Sequence, residues 1–286
     1  MTRVAFQGIA GAYSEEAIRQ HLGPTVASLP CRTLADVLSA VESREADYGM
    51  LPVENAVAGS VPQSYELLMS HDLRICAEVI LHVRHMLLAL PGAQLADLRR
   101  VRSHPQALAQ CQRYLERHGL QPEPAFDTAG SARDLASHPE PGVAAIASEW
   151  AAELYGFQIL DRNIEDLPFN YTRFFLLALQ DPPGQQQLGL KYKTSLIFTT
   201  SHQPGALCDC LGEFAQRRIN LTKIESRPRL NRPWQYIFYL DFEGHCRDPE
   251  CEAAIMGLLR RSSFVKLLGS YPAAMTPVVD DMMASG

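Results

Sequence analysis

What this chain lacks narrows its function before any motif is read. No run approaches the roughly 20 apolar residues of a membrane-spanning helix. The opening, Met1 to Gly11, has neither the apolar segment nor the cleavage site of a secretory signal. The expectation is therefore a cytoplasmic protein with no membrane partner. There is no basic block and the net charge is −6, which argues against nucleic acid as a partner. The seven cysteines are odd in number and scattered, so they do not read as a disulfide framework. Only Cys208 and Cys210 are close. In a helical pattern they face different ways and read as small buried hydrophobes. His82 and His85 fall on opposite faces of a strand-like run; no metal is expected, and no cofactor. "FQGIAGAYS" has Gly8 and Gly11 without the spacing of G-x-G-x-x-G, and no G-x-x-x-x-G-K-[ST] occurs. A tight strand-to-helix turn is the sounder reading.

What is present suits a folded protein of about two domains, with 286 residues, 47% hydrophobic and 20% charged. Strands alternate with helices through the first part, which indicates an α/β sheet with helices on its faces. "RVAFQG" reads as a strand. "SEEAIRQHLG" reads as a helix capped by Ser14 and stopped at Gly23. "QDPPGQQQLGLK" is the best linker candidate, placed at 181–190. Residues 191–272 then follow a βαββαβ pattern, the ferredoxin-like split βαβ arrangement. The tail, 273–286, lacks a pattern and is a candidate for disorder.

Several residues could carry chemistry. "GSVPQ" and "RSHPQ" place Ser60 before Gln63 and Ser103 before Gln106, each fitting a capping box with Pro in the first turn. Ser14 and Thr128 open two more helices. Most such residues only cap, but several helix starts at one end of an open sheet are also anion sites. In "LPVENAVAGSV", Glu54 and Asn55 follow a strand directly. They are either a polar loop tip or groups that orient a bound hydroxyl or one another. In "FNYTRFFLLALQ", Asn170, Thr172 and Arg173 stand at the mouth of a buried strand.

Together "LPVENAVAGSV", "SHPQALAQC", "AAIASEWAAELYG", "NYTRFFLL" and "FQGIAGAYSEEA" resemble the prephenate dehydratase family. "GALCDCLGEF" and "INLTKIESRP" are similar to its C-terminal ACT regulatory domain. The resemblance runs from about residue 3 to about 272. One departure is "FDTAGSARDLA", with Asp127 and Gly130 where the family often has a fuller run of Ala after "NTA". The resemblance implies an α/β catalytic part at 1–180, in two lobes like a type II periplasmic binding protein, plus the ferredoxin-like ACT domain. Lobe one would be about 1–78 and 169–180, and lobe two about 79–168, with the active site in the cleft.

The implied activity is that of a carbon–oxygen lyase in phenylalanine biosynthesis: prephenate loses CO2 and its ring hydroxyl to give phenylpyruvate. By resemblance Thr172 helps the hydroxyl leave. An alcohol is a weak acid, so proton transfer must be late, with donors such as Asn55 contributing. Glu54 is a rival acid or a structural support. Arg173 suits the pyruvyl carboxylate. Yet Thr172 and Arg173 face opposite ways on a regular strand, so Arg173 clamping a neighbouring loop stays open. Ser60, Ser103, Gln110, Thr128 and Asn170 are carried over as cleft residues, with Gln110 about two helical turns beyond Ser103. The ACT resemblance implies edge-to-edge pairing in a homodimer or homotetramer. It also implies an allosteric L-phenylalanine site at Gly205, Ala206, Leu207, Asn220, Leu221, Glu225, Ser226, Arg227 and Pro228, the alternative being dimerisation alone. Two other functions are carried beside this one. Arogenate dehydratase acts on the aminated analogue, and a catalytically silent amino-acid sensor has no use for Thr172.

Overall fold

The structure, a computed structural model, describes residues 1–180, 189–229 and 232–274. The linker expected at 181–190 and the tail expected at 273–286 lie almost wholly outside these residues. Strands β1 (Arg3–Gln7), β2 (Ala27–Cys31), β3 (Tyr48–Asn55), β4 (Gly59–Ser60) and β5 (Arg74–His82) come first, with helices α1 (Tyr13–Leu22), α2 (Leu34–Glu42) and α3 (Pro62–Ser70) between them. Next come β6 (Met86–Ala89), β7 (Arg100–Ser103), β8 (Gln121–Pro124), β9 (Val143–Ala147) and β10 (Gln158–Arg162), alternating with α4 (Pro105–Gln110), α5 (Gln112–Arg117), α6 (Thr128–Ser137) and α7 (Glu149–Tyr155). Strand β11 (Tyr171–Ala178) returns to the first sheet, whose order is β2-β1-β3-β11-β5 with β4 paired to β3. The second sheet runs β10-β6-β9-β7-β8. These are the two α/β lobes. "MLLA" and "VAAIA" are apolar at every position because helices cover both faces of their sheet. Leu87, Ala89, Ala144 and Ile146 pack with Leu108 and Leu115, while Met86, Leu88, Ala145 and Ala147 pack with Leu135 and Ala151.

Two compact units divide the described chain. One is Met1–Val61 with Val79–Phe174, and the other is Pro62–Glu78 with the described residues from Phe175 onward. The second unit contains β12 (Tyr192–Thr200), α8 (Ala206–Ala215), β13 (Leu221–Arg229), β14 (Arg232–Glu243), α9 (Pro249–Arg261) and β15 (Ser262–Pro272). Its sheet has the order β13-β14-β12-β15, each neighbour antiparallel, which is the split βαβ arrangement. Phe198, Phe214, Leu240, Phe242 and Leu258 form its core. Of the close cysteines only Cys210 is buried there; Cys208 is exposed. Residues 62–78, read from sequence as part of lobe one, pack within this unit. The Tyr239 hydroxyl donates to Tyr65 O (2.8 Å), and Lys266 Nζ donates to Leu68 O (3.1 Å) and Met69 O (3.3 Å) at the C-terminal end of α3.

Within the first unit the lobes meet where α1 faces α7. Helix α1 begins at Tyr13, and its N-cap, Ala12, offers no side-chain bond, so Ser14 is not the cap expected from the sequence. The Glu15 carboxylate accepts Gly11 N–H (2.7 Å) and the Trp150 indole N–H (3.0 Å) instead. Ser148 Oγ donates to Gly11 O (2.8 Å) and caps α7 by accepting Ala151 N–H (3.0 Å). Gly11 is required by its φ of 91° and because a Cβ there would sit 3.2 Å from Ala151 Cβ.

One residue of this contact is not satisfied. Glu16 Oε2 is buried without a hydrogen-bond partner. Burial, and next the Glu149 carboxylate, raise its pKa from 4.5 to about 7, against a lowering from Arg84. The folded state therefore prefers the protonated acid, and a shift of this size corresponds to about 3 kcal/mol. That stabilisation is complete below the unfolded value of 4.5 and is lost as pH rises through about 7. Glu16→Gln should remove the dependence. The thermal midpoint of the wild type should fall relative to the variant as pH is raised from about 4.5 to about 7 and run parallel above that. Parallel curves throughout would show that this carboxyl does not titrate in the window.

Candidate active site

The site is built around Asn55, the last residue of β3, which is only 8% exposed. Its Oδ1 accepts Val57 N–H (3.1 Å) and Ala58 N–H (2.8 Å), an Asx turn that folds the chain back into β4. Its Nδ2 points the other way and donates to Asn170 Oδ1 (2.8 Å), Thr172 Oγ1 (2.9 Å) and Tyr171 O (3.2 Å). Two hydrogens thus serve three acceptors, the shorter contacts going to the side chains. Thr172 receives a bond on its oxygen, so its own hydrogen is directed away from the amide. The mouth of β11 is fixed by Ala56 N–H to Tyr171 O and Val83 N–H to Asn170 O, both 2.8 Å.

The chain of polar contacts continues inward. Asn170, 1% exposed, donates through Nδ2 to Gln110 Oε1 (3.1 Å). His85 Nε2 lies 2.9 Å from the same oxygen, His85 Nδ1 lies 2.8 Å from the Tyr13 hydroxyl, and His85 N–H donates to Glu165 Oε2 (2.9 Å). Burial lowers the His85 pKa and raises that of Tyr13 well above its usual value. With the ring neutral and Gln110 Oε1 accepting, Nε2 carries the hydrogen and Nδ1 is bare; the single Tyr13 O–H hydrogen lies between Nδ1 and Arg84 O, which is 2.9 Å away. Val57, Ala58, Gln106, Gln110, Arg113 and Asn170 line a cavity of about 390 Å³. Thr172 does not line that cavity; Asn170, two residues before it, does. Sequence reading missed His85 and Tyr13. In the sequence His85 stands out only as a neighbour of His82, and Tyr13 only as a residue after Gly8 and Gly11.

The other expected residues separate. Ser103 is fully buried at the end of β7, and its hydroxyl donates to Ile146 O (2.7 Å). His104, not Ser103, caps α4, accepting Gln106 N–H (3.2 Å), so the expected capping box and the shared helix face with Gln110 are both corrected. Ser60 lies in β4 opposite Glu54, and α3 begins two residues later, so it too is not the expected cap. Thr128 opens α6, but Asp127 is the cap. Its Oδ1 accepts Ala129 N–H (2.9 Å) and Gly130 N–H (3.2 Å), so these donors are already taken by a carboxylate. Arg173 pairs with Glu54, Nη1 to Oε2 at 3.7 Å, while Asn170 and Thr172 turn to Asn55. Strand alternation separates the two pairs, which favours Arg173 as a clamp on the Glu54 segment over Arg173 as a carboxylate ligand beside Thr172.

In the second unit, Gly205 (φ 84°) precedes α8. Gly205, Leu207 and Leu221 line an apolar cavity of about 680 Å³ with Cys208, Leu211 and Ile219. A register shift between Leu221 and Lys223 then turns β13 over. Beyond it Glu225 is bonded by Lys223 (3.2 Å) and Arg227 (2.5 Å), and both cations lie over the Tyr65 ring. Ala206 begins α8, Asn220 O accepts Glu243 N–H (2.9 Å), and Ser226 and Pro228 lie on β13. The residues expected to form one pocket are thus divided between two places.

Comparison with known proteins adds an independent line. A sequence model described as prephenate dehydratase matches residues 4–182. An Arabidopsis thaliana protein named arogenate dehydratase/prephenate dehydratase 2, chloroplastic, is 44% identical over 285 residues, covering 96% of this chain and 74% of that one. Arogenate dehydratase 1 of Petunia hybrida is 43% identical over 292 residues, covering 96% and 68%. Among solved structures, GqqA, described as a novel type of quorum quenching acylase, superposes with a TM-score of 0.88 at 39% identity, covering 95% of this chain and 98% of that one. A prephenate dehydratase from Arthrobacter aurescens in complex with L-Phe gives 0.85 at 33%, covering 96% and 93%. The expectation of a cytoplasmic protein is corrected here, because several Arabidopsis relatives carry chloroplastic names, which point to a plastid.

The reassignment of Ser103 has a direct test. Ser103→Ala removes one buried hydrogen bond and should lower stability by about 1 kcal/mol in urea denaturation. Ligand affinity should stay unchanged; a large loss of affinity at wild-type stability would return Ser103 to the cleft.

Proposed function

Because this chain belongs to the prephenate dehydratase family, we propose that it removes CO2 and the ring hydroxyl from arogenate or prephenate, with Thr172 as the proton donor. The names of the plant relatives favour arogenate at least as well as prephenate. In the reaction, the electrons of the breaking bond to the ring carboxylate enter the ring and the hydroxyl departs with its bonding pair. Thr172 gives its hydrogen to that oxygen to make water and regains one from solvent. The ring becomes aromatic. The product is phenylalanine from arogenate, or phenylpyruvate from prephenate.

One observation carries the role of Thr172: Asn55 Nδ2 donates to Thr172 Oγ1 at 2.9 Å. A donor on that oxygen stabilises the negative charge it gains as its proton leaves, which offsets the weak acidity of an alcohol. The same bond leaves the hydroxyl hydrogen free for the departing oxygen. The cavity lined by Asn170 and Gln110 is proposed to hold the substrate beside the strand mouth, and since Thr172 does not line it, the ring hydroxyl must reach past Asn170 to meet Thr172. Ser60 and Thr128 are retained as rim residues, and Glu54 with Arg173 supports the strand mouth from the opposite face.

The proposed division is a catalytic part at 1–180 and an ACT regulatory domain at 191–272. Feedback by L-phenylalanine is proposed at the cavity beside Gly205, Leu207 and Leu221, with Asn220 next to it, and the Glu225 to Pro228 segment is left out of that cavity. A homodimer or homotetramer pairing through these domains completes the proposal. The apolar cavity beside Gly205 and the L-Phe complex of the Arthrobacter protein support it. An acylase reading has less support. The Thr172 hydroxyl is held by an amide rather than by a base that could activate it as a nucleophile.

Assaying arogenate and prephenate side by side tests the reading. Thr172→Ala should lower kcat by roughly a hundredfold or more, with KM little changed, and Thr172→Ser should recover much of the loss. A deficit under about tenfold would move the acid role elsewhere, and turnover of neither substrate by the wild type would end the dehydratase reading.

A further inference from the structure

We propose that His85 is a positioning residue for Thr172, acting through the carboxamides of Gln110, Asn170 and Asn55; this deepens the dehydratase reading and rests on it. His85 is 2% exposed and both ring nitrogens are engaged, so it does not itself meet a substrate. It can only act through its neighbours.

A carboxamide presents an acceptor at one end and a donor at the other, so each side chain in the chain transmits a direction. His85 Nε2–H and Asn170 Nδ2–H both point at Gln110 Oε1, which holds that oxygen inward. Gln110 Nε2 makes no hydrogen bond among the described residues, and Gln110 lines the cavity, so its amide hydrogens are available to a bound carboxylate. With Asn170 Nδ2 committed to Gln110, Asn170 Oδ1 is turned to Asn55 Nδ2. Asn55 in turn presents Nδ2 to Thr172 Oγ1 and Oδ1 to the loop amides. Turning Gln110 over would set two amide N–H groups against each other and leave an N–H group facing the imidazole N–H. The polarity of the chain is therefore held from both ends, by the loop N–H groups on Asn55 Oδ1 and by the hydrogen on His85 Nε2, and it is at Gln110 that His85 acts most directly.

Three elements hold the ring in place. The Tyr13 hydroxyl of α1 meets Nδ1, and the Tyr13 ring stands edge-on at 5.6 Å. Glu165 takes the main-chain N–H, and Gln110 comes from the end of α4. In its absence the most direct change is that Gln110 loses one of two donors and its amide is free to invert.

The test uses the full chain with both substrates, and ring-nitrogen NMR of the wild type. His85→Leu should lower kcat roughly a hundredfold, the scale expected for a misplaced reactive group, and should also raise KM, because an inverted Gln110 turns its oxygen toward the bound carboxylate. His85→Gln restores an N–H near the Nε2 position and should recover at least about tenfold of that loss, a rescue that a merely structural role would not give. Added to Thr172→Ala, His85→Leu should cause little further loss, because the two act through one hydroxyl. The wild-type ring should carry its hydrogen on Nε2. Fully additive losses, an unaltered kcat for folded His85→Leu, or a hydrogen on Nδ1 instead would overturn the proposal. If His85→Leu does not fold, Tyr13→Phe replaces it; a reduced kcat and a shifted Nε2–H signal are expected, and no change in either would overturn it. If the wild type turns over neither substrate, the dehydratase reading fails, while the NMR tautomer still decides the state of His85.

Discussion

The constraint on which this site depends is that buried polar atoms must find partners. Asn55 and Asn170 are almost removed from solvent, and His85 as much so. Inside the protein an unmatched amide group costs about 1–3 kcal/mol, so the only stable arrangement is one in which each donor meets an acceptor. That requirement selects one orientation for each side chain. Chemistry then follows from stability: the orientation that satisfies the interior is also the one that leaves the hydrogen of Thr172 pointing away from Asn55. If Thr172 is the proton donor, as proposed, it needs no acidic neighbour of its own.

Asn55 also ties two events together. One end of its amide holds the loop that lines the cavity, and the other holds Thr172. A ligand that shifts Val57 or Ala58 pulls on the same rigid carboxamide that meets the hydroxyl. Loop and hydroxyl cannot be rearranged independently. The contact between α1 and α7 is a counterweight in the same unit, rich in bonds through Glu15, Ser148 and Trp150, but carrying the poorly matched carboxyl of Glu16.

Much of the architecture was legible from periodicity. The apolar runs of β6, β9 and β11 and the βαββαβ order from Tyr192 onward follow from local pattern and turn chemistry. Asn55, Asn170 and Thr172 were legible as well, since polar groups at strand mouths advertise themselves. Residues whose role is set by long-range pairing were not. Ser103 and Ser60 carry a capping motif in sequence, yet the backbone places them in strands, where a hydroxyl serves a neighbouring carbonyl or lies in a short bridge. Arg173 faced away because a strand turns alternate residues to opposite sides, a rule that gave warning but not the partner. His85 left no local signal at all, because its meaning comes from Tyr13, Gln110 and Glu165, far from it along the chain.

The interruption between α4 and α5 has a consequence for how this region can change. Cys111 ends one helix and begins the next with φ −116° and ψ 19°, and Gln110 O accepts Asp166 N–H at 2.7 Å. In an unbroken helix every added or altered residue downstream would rotate with Gln110 as one rod. Here the azimuth of Gln110 is set by α4 and by the segment around Asp166. The exposed side of α5 is thereby released from that duty and is free to drift in sequence without turning the carboxamide that faces the cavity.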